Sequence, residues 1–101
     1  MKLGRVVGTV VSTIKSPGLR SYKLLLVSPL AMQAADETVS HQDLFVAIDL
    51  IGAGEGDVIL ACRGSAARVV ADVGVVPTDA AIVAIVDTIQ IGERTAYAKG
   101  E

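Results

Sequence analysis

Runs rich in β-branched and aliphatic residues, each ended by glycine, proline or serine, make up most of this chain. The first run, Lys2 to Ile14, is dense in Val and Thr and carries two interior glycines, Gly4 and Gly8. Such side chains suit a pleated surface, and glycines four apart suit a strand that coils tightly, as at a barrel corner. Lys15-Ser16-Pro17-Gly18 ends it with turn chemistry. Tyr22 to Val27 (Y-K-L-L-L-V) predicts a second strand, closed by Ser28-Pro29. Leu30 to Asp43 mixes small and polar residues without a period and reads as an exposed loop, long enough to be functional or mobile. Leu44 to Leu50 predicts a third strand and Val58 to Cys62 a fourth, with Gly52, Gly54 and Gly56 bending the chain between them. Ser65 is the expected N-cap of a short helix that Gly74 and Pro77 stop after about two turns. Ile82 to Ile91 is the expected fifth and longest strand, and the polar tail from Gly92 is expected to fray. The fold class is therefore mainly all-β. It is a small five-stranded OB-like barrel over residues 1–91, with one short helix between strands 4 and 5, followed by a polar tail over 92–101.

Composition adds a partner to this picture. The chain has 101 residues, of which 51% are apolar and only 20% charged. A domain this small leaves roughly a third or more of its surface exposed when alone, so the apolar excess points to an oligomer. Cys62 is the single cysteine, which fits a reducing compartment and a small core residue better than a nucleophile. No apolar run reaches the roughly 18 residues of a membrane-spanning helix. The N-terminus carries a charge inside its apolar run and lacks a small-residue cleavage site, so a cytosolic protein is expected.

Candidate chemistry falls away on inspection. Gly52-Ala53-Gly54-Glu55-Gly56 has the spacing G-x-G-x-G and precedes a strand. A dinucleotide fingerprint needs G-x-G-x-x-G opening a helix, and Glu55 and Asp57 would repel a phosphate. Asp87-Thr88 invites comparison with the Asp-Thr-Gly of small dimeric aspartic proteases, but Ile89 stands where Gly is needed. Asp49 and Asp87 interrupt apolar strands and are better read as acceptors for backbone donors at a turn or interface, since a buried carboxylate without donors is costly. His41 is the only histidine, so neither a metal site nor a triad is expected. Single-stranded nucleic acid is a common ligand of OB barrels, but such sites use a basic groove and stacking aromatics. This chain has net charge −2 and only Tyr22, Phe45 and Tyr97 as aromatics. No catalytic residue and no cofactor is expected.

Five stretches carry a resemblance: G-R-V-V-G-T-V-V-S-T-I-K-S-P-G-L (Gly4 to Leu19), K-L-L-L-V (Lys23 to Val27), D-L-I-G-A-G-E-G-D-V-I-L (Asp49 to Leu60), G-S-A-A-R (Gly64 to Arg68) and D-A-A-I-V-A-I-V-D (Asp79 to Asp87). Their order and spacing resemble the EutN/CcmL-type pentameric vertex proteins of bacterial microcompartments. The resemblance implies a structural protein and not an enzyme: a homopentamer of barrels closing the vertices of a cytoplasmic shell tiled by hexameric shell proteins, without nucleic-acid or membrane partners. On that footing Asp49, Gly52, Ala53, Gly54, Gly56, Asp57, Ser65, Arg68 and Asp87 are expected at turns or subunit contacts. Arg68 either reaches a neighbouring subunit or braces its own turn. Lys15 and Arg20 of the first loop, and the loop 30–43, are the expected contacts with hexamers.

Overall fold

One bent strand organises the architecture. β1 (Lys2–Val10) pairs along most of its length with β2 (Lys23–Pro29) and at its start with β4 (Val58–Arg63). Serving two neighbours requires β1 to coil, and its pairing with β2 shifts register between Val6 and Gly8, the extra residue that sharpens twist at barrel corners. Gly4 sits where the walls pinch: a Cβ there would lie 2.5 Å from Cγ1 of Val27.

The computed structural model describes residues 1–13, 15, 17–19, 22–30, 43–65, 67 and 78–100. A 3-10 turn (Pro17–Leu19) precedes β2. β3 (Phe45–Asp49) lies antiparallel to β2, and β5 (Ala80–Ile85) lies parallel to β3 and antiparallel to β4. The order β1-β2-β3-β5-β4 closes on itself as a five-stranded barrel, which removes open sheet edges from this body.

Inside sit Val6, Leu25, Val27, Ala47, Ala53, Ile59, Ala61, Ala80 and Ile82. The alanines from three strands and one turn keep the barrel narrow. A second cluster of Leu24, Ile48, Ala67 and Ala81 has Val10, Leu19, Tyr22 and Leu50 packed against it. Adjacent residues of a strand face opposite ways, so burial of both Leu24 and Leu25 puts apolar packing on both faces of β2. That explains why K-L-L-L-V does not alternate.

Three expectations need correction. β1 stops at Val10, and 11–13 continue outside any strand. The fifth strand ends at Ile85: the Val86 N–H makes one more bond to β4, at the carbonyl of Val58 (2.8 Å), and Asp87 beyond it is exposed. The tail does not fray: β6 (Thr88–Ile91) and β7 (Arg94–Ala98) form a separate antiparallel hairpin. Gly92 takes φ 61° in its two-residue turn, the left-handed conformation that tight hairpins favour. Its strands are polar in sequence because most of their residues meet solvent, not because they lack order. The expected helix after Ser65 lies for the most part outside the described residues; Ala67 is helical and buried.

Candidate interface site around the glycine-rich turn

Two carboxylates build the turn between β3 and β4. Asp49, the last residue of β3, keeps its side chain only 3% exposed. Its Oδ1 accepts the N–H groups of Ile51 (3.2 Å), Gly52 (3.1 Å) and Ala53 (3.1 Å). Its Oδ2 lies 3.4 Å from Nζ of Lys23, its direct partner across the β2–β3 register. The same ammonium donates to the Ala53 carbonyl at 2.7 Å. A negative charge taking three backbone donors and one cation is well compensated for its burial. Gly52 permits this wrap by adopting φ 85°, and Ala53 then drops its methyl into the barrel core.

The second half is closed by Asp57. Its Oδ2 accepts the Gly54 N–H at 2.9 Å, while its own N–H donates to the Gly54 carbonyl at 3.1 Å. Gly56, at φ 90°, donates its N–H to the Val6 carbonyl (2.8 Å), and the Val6 N–H donates to the Asp57 carbonyl (2.9 Å). Arg5 adds a bond from Nη1 to the Gly56 carbonyl at 2.9 Å. The turn is thereby stitched to the bend of β1. No donor set remains over for a phosphate, and both acids face their own backbone. Outward it presents Ile51, 42% exposed, with Gly52 and Glu55.

The other candidates scatter. Gly54 does not share the positive φ of Gly52 and Gly56, and a Cβ built on it would meet no atom within 4 Å. Ser65 is exposed in the turn after β4, where the Ala67 N–H donates to the Gly64 carbonyl (3.2 Å); the helix it is expected to cap lies for the most part outside the described residues. Asp87 is exposed between β5 and β6, and its backbone carbonyl, instead of its carboxylate, accepts the Lys99 N–H at 2.7 Å. Lys15 is partly buried. Arg68, Arg20, His41 and nearly all of the loop 30–43 lie outside the described residues.

Sequence reasoning missed Arg5, Tyr97 and Lys99. The Arg5 guanidinium lies over the Tyr97 ring, 5.7 Å from its centroid, and Lys99 Nζ lies 3.9 Å from Asp57 Oδ1. Together they lean the hairpin on the turn. Partners so distant in sequence leave no local signal.

All three aromatics are engaged within the chain. Tyr22 packs on the second cluster, Phe45 lies under Arg63 at 4.1 Å, and Tyr97 lies under Arg5. Among the described residues no group of three or more His, Cys, Asp or Glu is placed to hold a metal, and no helix is long and apolar enough to cross a membrane.

The family described as ethanolamine utilisation protein EutN/carboxysome matches residues 1–87. The chain is 43% identical over 102 residues to the carboxysome shell vertex protein CcmL of Synechococcus elongatus, covering all of this chain and 98% of that one. CcmL of Gloeobacter violaceus matches in structure over the whole of both chains, with a TM-score of 0.87 and 40% identity. The GrpN pentameric microcompartment shell protein from Rhodospirillum rubrum matches with a TM-score of 0.76 and 38% identity, covering 90% of this chain and 99% of that one.

Proposed function

Since the chain belongs to the EutN/CcmL family, we propose that it is a pentameric vertex protein of a bacterial microcompartment shell in the cytoplasm. The observation that carries this is similarity along the whole chain, in sequence and in fold, to shell vertex proteins that include a pentameric one. The role is structural. Hexagonal tiles alone make a flat sheet, and closing it into a shell needs five-fold points. A small rigid barrel with apolar packing on both faces of its wall suits a subunit held between two neighbours.

Within the ring, the turn from Asp49 to Asp57 forms one subunit edge. Its carboxylates shape that edge, and Ile51, Gly52, Gly54 and Glu55 meet the neighbour. Ala53 supports the edge from inside. Ser65, Arg68 and Asp87 lie close to the contact, and Lys15 and Arg20 face hexameric shell proteins. Nucleic acid has no part in this reading: the net charge is −2 and the aromatics are occupied by the chain's own residues.

Sedimentation velocity tests the assembly. Five chains of 10.4 kDa give a particle of about 52 kDa. A stable single subunit at micromolar concentration would overturn the reading.

A further inference from the structure

β7 has a strand on one side only. β6 takes that edge, and the other pairs with no described strand. β7 is also one wall of an open cleft of about 530 Å³. Arg5, Gly56 and Asp57 form the opposite wall, while the consecutive residues from Thr95 to Gly100 form this one, with none from β6. Successive side chains of a strand point to opposite faces. An unbroken run therefore lines a cleft only when the cleft follows the strand's edge, here the edge that β6 leaves.

The register says which groups face it. The Lys99 N–H is on the β6 side, where the Asp87 carbonyl takes it at 2.7 Å. Along an antiparallel strand the backbone groups of adjacent residues turn to opposite sides. Ala98, opposite Thr88, therefore turns its N–H and C=O to the cleft, and neither is bonded to a described residue. Such an edge is a template for an added strand.

The opposite wall limits what can be added. An extended strand fills about 160 Å³ per residue, from ~4.8 Å between strands, ~10 Å between sheets and ~3.3 Å of rise. The cleft therefore suits one strand of roughly three residues and is too small for two paired ones, such as the hairpin of another copy. Charge narrows the choice further. The walls set Arg5 and Lys99 against a single acid, Asp57, an excess of one positive charge on a chain whose net charge is −2. Arg5 holds the Gly56 carbonyl and lies over the Tyr97 ring. Asp57 spends Oδ2 on the Gly54 N–H, and Lys99 reaches Oδ1 only at 3.9 Å, with its side chain 45% exposed. Lys99 can therefore turn to an incoming carboxylate at little cost.

We propose that the cleft binds a single extended acidic segment of a partner protein, which adds as a strand to β7 and sets a carboxylate against Lys99. The cleft belongs to one subunit, so the proposal stands whether or not five assemble. Fluorescence polarisation tests it on the full chain with two labelled pentapeptides, T-E-V-E-T and T-K-V-K-T. The acidic one should bind with a Kd of about 100 μM or tighter, and the basic one at least about tenfold more weakly. With the acidic peptide bound, the Ala98 amide should exchange at least about tenfold more slowly. Ala98→Pro removes a donor that faces away from β6, a position where proline is tolerated, and should lower the affinity at least about tenfold. Lys99→Ala should lower it about threefold and flatten its dependence on salt. Circular dichroism checks that both variants keep the fold. Equal affinity for the two peptides, or wild-type affinity in both variants, would overturn the proposal. So would protection of the Ala98 amide in the pure protein before any peptide is added, which would give the cleft to a second copy of this chain.

Discussion

The turn from Asp49 to Asp57 and the hairpin from Thr88 to Ala98 are both excursions from one barrel, yet they are finished in opposite ways. The turn is closed by its own chain. Asp49 gathers three amides, Asp57 a fourth, and Lys23 and Arg5 take carbonyls on either side. The hairpin has its own ladder and two polar braces, Arg5 over Tyr97 and Lys99 near Asp57, and neither of its outer edges pairs with another described strand. A segment that satisfies its own polar groups can offer a neighbour a fixed shape. A segment with unspent backbone groups can offer it bonds. Variants of the turn should therefore lower the stability of the subunit, and variants of the hairpin should act on assembly.

The largest effect is expected at Asp49. Asp49→Ala leaves three amides and Lys23 without their acceptor, for a loss of about 1–3 kcal/mol. For a chain of this size each kcal/mol lowers Tm by roughly 4–8 °C. Calorimetry at fixed protein concentration is the measurement, because an oligomer's Tm moves with concentration. An unchanged Tm would mean that the turn is held from outside, and the contrast with the hairpin would collapse.

A pair of glycines sharpens the same contrast. Gly56 is held at φ 90°, so Gly56→Ala should cost the subunit about 1–2 kcal/mol. Gly54 has neither a positive φ nor an atom within 4 Å of a built Cβ, so Gly54→Ala should stay within about 0.5 kcal/mol. If Gly54 is pressed by a neighbour, the bulkier Gly54→Val will shift sedimentation towards single subunits while the urea midpoint of the subunit holds. Equal losses of urea midpoint at both glycines would show that the turn is strained throughout.

Much of the barrel was legible in the sequence because its signals are local. Val/Thr runs, Gly4 and Gly8, and the Ser-Pro and glycine breaks mark the strands without reference to distant residues. The bent β1 and the buried Ala/Leu strands followed from them. The hairpin was misread because its cue was tied to polarity: R-T-A-Y-A looks like a tail until Gly92 supplies the left-handed turn that pairs it with T-I-Q-I. Asp49 was legible as an acceptor, since an acid ending an apolar strand before glycines needs donors. Asp87 looked equivalent in sequence and is not: Val86 makes the last bond to β4, and Asp87 one residue on is exposed. Arg5 was invisible: its partners at Gly56 and Tyr97 exist only once β1 has coiled around the turn.

The smallest effect is expected where the two regions touch. Lys99 Nζ stands 3.9 Å from Asp57 Oδ1, with the lysine side chain 45% exposed and the aspartate 24%. An ion pair so long and so wet contributes at most about 0.5 kcal/mol and is screened by salt. Asp57 also keeps its bond from the Gly54 N–H through the other oxygen. Lys99→Ala should therefore leave the subunit's urea midpoint unchanged at both low and high salt. The remaining brace, Arg5 over Tyr97, is worth about 0.5–1 kcal/mol when exposed, enough to keep the hairpin seated. If Lys99→Ala instead costs more than about 1 kcal/mol, the hairpin unfolds with the barrel as one cooperative unit, and its bare edge is then carried by a rigid body instead of a loosely attached arm.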